Sequence, residues 1–274
     1  MRPAFWMLSV FLLASCVTES SGGLPEPAPK AERAQAQIAV GRGYIGVGSW
    51  SNAKRALEKA LSFDPGSVEA HVLFAVAYEA EEEYELAETY YRKALRLKSD
   101  DSQALNNYGA FLFRRDRLDE ATTQLKKVVR DTEYRARPQA FENLGLVQLK
   151  QGDLAAAAAA FERALSLNSN QPVSALELGY MAFDRGELGL AFQRYEEFKK
   201  NSNPSARSLC FGMKLGAAAK NPDQVSSAAM ALKNQRTWLF VSIRMHLPSG
   251  ILTSPIIKPT VKMHRKTSSS LFLI

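Results

Sequence analysis

The chain has 274 residues, of which 46% are hydrophobic and 23% charged, and this composition excludes wholesale disorder and fits one or two domains with an apolar core. The net charge of +7 does not indicate nucleic-acid binding, because residues 17–235 carry 28 basic and 28 acidic side chains and the excess lies mainly in the tail. The chain has two cysteines, so lipidation of Cys16 would leave Cys210 alone and exclude an internal disulfide.

The first residues predict export. The apolar run Ala4–Ala14 has the length of a signal-peptide core and is well short of the roughly 20 apolar residues of a membrane-spanning helix. It ends in Leu13-Ala14-Ser15-Cys16, which resembles the lipobox of bacterial lipoproteins. The resemblance implies that residues 1–15 are a signal peptide and that Cys16 carries the lipid anchor. Because Val17 follows where an aspartate would favour retention in the inner membrane, it also implies the outer membrane. The alternative is an ordinary signal peptide with a chance cysteine.

Residues 16–33 are predicted to form the lipidated cysteine and a flexible linker. Ser, Gly and Pro are frequent between Val17 and Lys30, and such a composition is typical of tethers. We therefore expect this segment to separate a membrane anchor from the folded part of the chain.

From residue 34 onward the sequence repeats every 34 residues. Small residues at positions 8 and 20 of the first unit, Gly41 and Ala53, recur as Ala75 and Ala87 in the second, and two extra residues near 135–137 shift the frame once. The pattern resembles the tetratricopeptide repeat, which implies an all-α fold: a right-handed superhelical solenoid of about six helix-turn-helix repeats. The predicted units lie near residues 34–67, 68–101, 102–137, 138–171, 172–205 and 206–235.

The sequence contains no pattern of catalytic residues or cofactor ligands. Its three histidines, His71, His246 and His264, lack metal-ligand spacing, and neither a G-x-x-x-x-G-K phosphate loop nor an H-E-x-x-H motif occurs. We therefore expect a protein that is not an enzyme and that binds no metal and no cofactor.

The first helices of stacked repeats line a concave face, where such proteins usually bind their partners. By resemblance to the repeat family, positions 2, 5, 9 and 12 of each unit point into this face. These positions are mostly apolar here, which predicts a groove for a helix or extended segment of a protein partner rather than for a charged chain terminus. The alternative is that some of these side chains pack between units. The predicted groove residues are Ile38, Ile45, Val72, Val76, Asn106, Phe113, Leu146, Leu149, Leu176, Tyr180 and Phe183.

One stretch narrows the resemblance further. The third unit opens with ALNNYGAFLF, residues Ala104–Phe113, and together with the lipobox and linker it resembles the type IV pilus biogenesis and stability lipoproteins, the PilF/PilW-type pilotins. This resemblance implies a non-catalytic adaptor, lipid-anchored on the periplasmic side of the outer membrane, that binds secretin subunits of the type IV pilus and promotes their localisation and multimerisation. The alternative is a periplasmic repeat lipoprotein that serves as a scaffold for cell-wall hydrolases or for outer-membrane protein assembly.

Residues 236–274 do not continue the repeat. They contain six basic and no acidic residues and no match to the 34-residue pattern. We interpret this atypical basic, apolar tail as the product of a frame-shifted reading of the end of the gene. The alternative is a genuine tail that contacts anionic lipid.

Overall fold

The structure, a computed structural model, describes residues 28–246, with side chains described as far as residue 234. This part of the chain contains twelve α-helices and no strand. The helices form six consecutive helix-turn-helix units, each with a first (A) and a second (B) helix, so the all-α repeat fold is confirmed. The helices are α1 Lys30–Gly46, α2 Trp50–Phe63, α3 Val68–Ala80, α4 Tyr84–Leu97, α5 Ser102–Arg114, α6 Leu118–Val128, α7 Arg137–Gln151, α8 Leu154–Leu167, α9 Pro172–Asp184, α10 Leu188–Asn201, α11 Ala206–Ala218 and α12 Pro222–His246.

The two ends of the array differ from the predicted boundaries. Helix α1 begins at Lys30, inside the predicted linker 16–33, because Pro29 occupies its N-cap and Glu32 lies in its first turn, where the helix dipole favours an acidic side chain. Helix α12 continues past Gln235 to His246. The predicted signal peptide, Cys16 and residues 247–274 lie outside the described residues, so lipidation and a frame-shifted tail stay predictions.

The turn inside each unit has one repeated backbone feature. Position 15 is left-handed in all six units: Gly48, Gly152 and Gly186 have φ of 70°, 84° and 78°, and Glu82 has φ of 64°. Asp116 and Lys220 take the same conformation in their units. A left-handed residue just after the A helix ends the helix and turns the chain back. Half of the units therefore place a side chain where glycine is favoured.

Small residues bring the two helices of a unit close together. The alanines at position 20 of the first five units, including Ala53 and Ala157, are fully buried. A Cβ atom at Gly145, position 8 of the fourth unit, would lie 2.6 Å from the Phe161 ring of its partner helix, and one at Gly109 would lie 2.8 Å from Leu125. The small residue that recurs at position 8 therefore permits close approach of the B helix in these units.

Neighbouring units are joined by aromatic packing and by charged hydrogen bonds. Tyr91 of α4 is fully buried and packs against the Tyr108 and Phe111 rings of α5, with ring centres 5.6 and 5.4 Å away. Glu88 of α4 accepts hydrogen bonds from Tyr108 (2.8 Å) and Arg117 (2.7 Å). Burial alone would raise the pKa of Glu88, but the hydrogen bonds from Arg117 and Tyr108 outweigh it and lower the pKa to about 2.

The contacts between units define the curvature of the array. Each A helix contacts the A helix of the next unit, from α1 with α3 through α9 with α11. Over the described residues, successive B helices share no Cα pair within 8 Å. The A helices therefore form the inner, concave face of the solenoid and the B helices form its outer face.

Candidate protein-binding surface

The concave face is less open than the sequence predicts. Six of the predicted groove residues are buried: Ile38, Ile45, Val72, Val76, Asn106 and Leu176. For these six residues the alternative applies: their side chains pack between units and do not line an open groove. Successive A helices contact one another, so a side chain that points toward the next unit packs between the two helices instead of facing a ligand. Ile38 and Val72 accordingly belong to a single apolar core that extends from α1 to α7.

Five predicted groove residues stay half-buried, namely Phe113, Leu146, Leu149, Tyr180 and Phe183. All lie on the A helices of units three to five. Tyr180 also has a packing role, since its ring lies 4.0 Å from Phe211 and its hydroxyl donates to the Arg207 carbonyl at 3.0 Å. These five residues are the part of the predicted groove that a partner could still contact.

A cleft of about 370 Å³ lies on the concave face between α1, α3 and α5. We call it the N-terminal cleft. Apolar side chains of α3 form its floor, and polar side chains of α1, α3 and α5 form its walls. The lining residues are Arg42, Val68, Glu69, Val72, Leu73, Val76, Asp101, Gln103 and Asn107. Val72 and Val76, two buried residues of the predicted groove, thus form part of the floor of the cleft. Ile38 and Ile45 of the predicted groove do not line it.

The charged groups around this cleft are already paired. Arg42 donates to the Glu69 carboxylate across the α1–α3 junction. One oxygen of Asp101 accepts the Ala104 amide at 3.0 Å and the other accepts the Lys98 ammonium at 3.2 Å. The cleft therefore presents no unpaired charge among its described residues.

The amide side chains of α5 differ in their hydrogen bonding. The side-chain oxygen of Gln103 accepts the Tyr134 hydroxyl at 3.1 Å. Asn106 is buried and its oxygen accepts the Asn143 amide at 3.1 Å. Asn107 is half-buried in the cleft wall, and its side-chain amide makes no hydrogen bond with any other described group. Of the two adjacent asparagines in the Asn-Asn-Tyr-Gly stretch, the first is therefore structural and the second is available to a ligand.

A buried carboxylate lies further along the concave face. Glu142 of α7 accepts hydrogen bonds from the backbone amide and the hydroxyl of Ser174, both at 2.9 Å. Ser174 lies in the first turn of α9, whose N-cap residue Gln171 makes no side-chain capping bond. Glu142 thus caps the N-terminus of the next unit's A helix. Burial raises the pKa of Glu142, and the hydrogen bonds from Ser174 oppose the shift only in part.

The sequence analysis missed an apolar surface on the first helix. Val40, Tyr44 and Val47 are 46%, 38% and 78% exposed. Val40 and Tyr44 lie one turn apart on α1, and Val47 is the C-cap residue that follows the helix. We call these three residues the end face. Val40 is position 7 of its unit. The residue at position 7 is buried in each of the next four units, namely Phe74, Tyr108, Leu144 and Leu178.

The end face is uncovered because the first unit has no preceding B helix among the described residues. In the third unit the same side of the A helix is covered by the preceding B helix, where Tyr91 packs on Tyr108. The sequence signal was available: apolar residues fill these positions in the first unit of the 34-residue pattern.

The described residues offer no site for a metal ion, since no group of three or more His, Cys, Asp or Glu side chains comes together in them. None of the helices in this part of the chain is both long and apolar enough to cross a membrane.

Comparison with known proteins agrees with this architecture. The tetratricopeptide-repeat family profile matches residues 111–174 and 142–206, and a profile of YpiA-like C-terminal tetratricopeptide repeats matches residues 69–131. The solved structure from a functional characterisation of Pseudomonas aeruginosa PilF has a TM-score of 0.72 at 39% identity, covering 75% of this chain and 93% of that one. PilW, described as a widely conserved type IV pilus biogenesis factor, has a TM-score of 0.66 at 25% identity, covering 75% and 94%.

The sequence of the type IV pilus assembly protein PilF of Pseudomonas aeruginosa is 39% identical to this one over 229 residues. The alignment covers 82% of this chain and 91% of the relative, so it spans nearly the whole of both proteins rather than a few generic repeats. On this basis the chain belongs to the PilF family of tetratricopeptide-repeat proteins of type IV pilus biogenesis.

Proposed function

We propose that this chain is a non-catalytic adaptor of type IV pilus biogenesis. It is anchored by a lipid on Cys16 to the periplasmic side of the outer membrane, binds secretin subunits, and promotes their localisation and multimerisation there. The observation that supports this most is the 39% identity to a type IV pilus assembly protein over 82% of the chain. A scaffold for cell-wall hydrolases or outer-membrane protein assembly is the competing outcome of the tests below.

Two surfaces support an adaptor role. The end face exposes three apolar side chains on α1 and at its C-cap, and exposed apolar clusters commonly mark protein contacts. The half-buried groove residues of units three to five provide a second apolar surface on the concave side. We propose that the secretin is held through these surfaces.

Deletion of the gene tests the function directly. We expect heat-resistant secretin multimers to disappear from the outer-membrane fraction and to return on complementation with the wild-type gene. Multimers of normal abundance and location in the deletion strain would rule out the secretin role. Co-purification of a cell-wall hydrolase or a barrel-assembly factor in place of the secretin would favour the scaffold alternative.

The anchor is tested separately. Radiolabelled palmitate should label the wild-type protein and not a Cys16→Ser variant, because the thiol is the expected acyl-bearing atom. Equal labelling of both proteins, or labelling of neither, would contradict the lipidation proposal. The repeat array of the variant should fold normally, which circular dichroism of the purified protein would show.

Surface variants test which face binds. A Val40→Ser/Tyr44→Ser double variant should reduce secretin multimers, since it removes apolar contact area without touching the core. Leu154→Ser is the matched control, because Leu154 is 59% exposed but lies on the outer face in α8. A Leu149→Ser/Phe183→Ser variant tests the half-buried groove, and because both side chains also pack against buried clusters, circular dichroism has to show that the variant is folded. Equal multimer levels in all strains would exclude both surfaces.

A further inference from the structure

We infer that exposed basic side chains at the ends of α4 and α6 rest on the anionic phospholipid headgroups of a membrane. These residues form what we call the basic edge, namely Lys93, Arg96, Lys126, Lys127 and Arg130. The inference rests on the proposed function for the lipid anchor on Cys16, which brings a membrane within reach. The charge and the position of the basic edge follow from the described residues alone.

The basic edge carries a local excess of positive charge, although residues 17–235 carry equal numbers of basic and acidic side chains. No acidic residue occurs in residues 89–99 or 121–130. The five cations are exposed, and none forms an ion pair within the part of the chain that the structure describes. Neighbouring Arg92, by contrast, pairs with Glu88 at 2.7 Å. The five charges are therefore available to an anionic surface.

The ends of α4 and α6 lie at the same edge of the solenoid. The Ser102 hydroxyl at the start of α5 donates to Asp131, which follows α6, at 2.5 Å. The Tyr134 hydroxyl donates to Gln103 of α5 at 3.1 Å. The end of α6 therefore lies beside the start of α5, and α5 follows α4 after the short loop 98–101. The five cations are thus placed on one edge of two adjacent units.

The chain leaves the solenoid toward its proposed anchor at this same edge. Helix α1 begins at Lys30, and the guanidinium of Arg33 lies 4.1 Å from the ring centre of Phe63, the last residue of α2. The start of α1 is therefore beside the end of the first B helix, just as the start of α5 is beside the end of α6. A lipid on Cys16 would draw the edge that contains the B-helix ends toward the membrane.

Several cations at one edge fit a charged surface better than a single phosphate group. Each Lys or Arg near an anionic membrane strengthens binding by roughly fivefold. Leu97 is 47% exposed and lies one turn after Lys93 on α4, so an apolar side chain accompanies the cations. Exposed basic and apolar side chains together are typical of membrane-surface segments. The opposite end of α4 follows the acidic turn 81–83, which an anionic surface repels.

The mature lipoprotein reconstituted into vesicles tests this inference. The anchor holds the protein on every vesicle, so acetylation of lysines by a water-soluble reagent, read by mass spectrometry, reports which edge meets the membrane. On vesicles that contain phosphatidylglycerol, Lys93, Lys126 and Lys127 should react about tenfold more slowly than on vesicles of phosphatidylcholine alone. Lys220 is the internal reference, because it is exposed in the A–B turn of the sixth unit, at the opposite edge, and should react equally on both.

Charge variants test whether the basic edge itself makes the contact. Lys126→Gln/Lys127→Gln should weaken the contact about thirtyfold, so Lys93 should need a larger fraction of phosphatidylglycerol for the same protection. Lys214→Gln/Lys220→Gln is the matched control, because it removes two exposed cations of the sixth unit, and Lys93 should be protected in it as in the wild type. All four lysines are exposed, so the circular dichroism of both variants should equal that of the wild type.

Three results would overturn the inference. The first is equal acetylation of the basic edge on neutral and anionic vesicles. The second is equal protection by soluble glycerol phosphate at the same phosphate concentration, which would assign the edge to single phosphate groups. The third is protection by polyglutamate but not by anionic vesicles, which would assign the edge to an acidic protein.

The secretin assay separates this inference from the proposed function. If the gene deletion abolishes secretin multimers but the basic edge reacts equally on both kinds of vesicle, the membrane contact fails and the adaptor role stands. If anionic vesicles protect the basic edge but the deletion strain keeps normal multimers, the membrane contact stands and the adaptor role fails.

Discussion

The substitution Gly145→Ala probes a close contact between the two helices of one unit. A Cβ atom at this position would lie 2.6 and 2.7 Å from two carbons of the Phe161 ring. Carbon atoms prefer separations of about 3.5–4.0 Å, so the overlap is about 1 Å. Phe161 is fully buried and packs in a cluster with Ala157 and Leu178, so its ring has no free space to enter. Either the ring or the whole α8 helix has to shift.

The net effect is the difference of two opposing terms. Alanine favours the helix over glycine by about 1 kcal/mol. Overpacking a buried site costs about 1–3 kcal/mol. We therefore expect Gly145→Ala to destabilise the chain by about 1 kcal/mol, within a range of roughly 0–2. Gly43→Ala is the matched control on α1, because no atom lies within 4 Å of a Cβ at Gly43, and it should stabilise the chain by about 1 kcal/mol.

Urea unfolding followed by far-UV circular dichroism measures both variants under the same conditions. The informative quantity is the difference between them, about 2 kcal/mol, because it cancels the shared helix-propensity gain. In a Phe161→Ala background the clashing side chain is absent, and Gly145→Ala should become neutral or stabilising. A Gly145→Ala chain as stable as Gly43→Ala would show that the ring moves freely and that close approach at position 8 is not what requires glycine.

Three further predictions concern backbone strain and buried charge. Glu82→Gly should raise the melting temperature, because the backbone of Glu82 is left-handed at φ 64° and glycine adopts this conformation without strain. Gly152→Ala should lower the melting temperature, because alanine at φ 84° is strained by about 1 kcal/mol. Glu142→Gln should increase the free energy of unfolding at pH 7. Burial raises the pKa of Glu142, so the folded chain loses stability as the pH rises above the ordinary pKa of 4.5. The free energy of unfolding of the variant should not fall with pH in this way. The pKa shift of Glu88 has the opposite sign to that of Glu142. Its pKa is lowered to about 2 by Arg117 and other donors despite burial, so its stabilising effect is complete above pH 4.5 and is lost as the pH falls toward 2, and Glu88→Gln should flatten acid unfolding in that window.

The repeat period predicted the helices well because spacing alone decides which residues of a hairpin meet. Position 8 faces position 24 of the same unit, so Gly145 and Phe161 could be paired from the sequence. The left-handed turn at position 15 follows from the same spacing, but the sequence indicates it only where that position is glycine. Glu82 takes the left-handed conformation without a sequence signal, because the fixed length of the turn imposes it.

The exposure of the concave face could not be predicted from position numbers. A position fixes the direction of a side chain relative to its own helix axis, but exposure depends on the distance to the next A helix. Ile38 points toward the concave side and is nevertheless fully buried, because α3 contacts α1 there. Phe113 stays half-buried on α5. The Asn106 and Asn107 pair shows the same limit, since only the structure reveals which of the two amides has a partner.

The end face and the N-terminal cleft both belong to the units nearest the proposed anchor. If Cys16 carries the lipid, thirteen residues separate it from Lys30, and a fully extended tether of this length reaches about 45 Å at most. A partner bound at α1 would then be confined to a thin layer below the membrane. Confinement raises its effective concentration there without any additional contact. At the raised effective concentration a weak contact of the end face is sufficient to hold the partner, so release from the membrane by Cys16→Ser should reduce secretin assembly although the end face is intact.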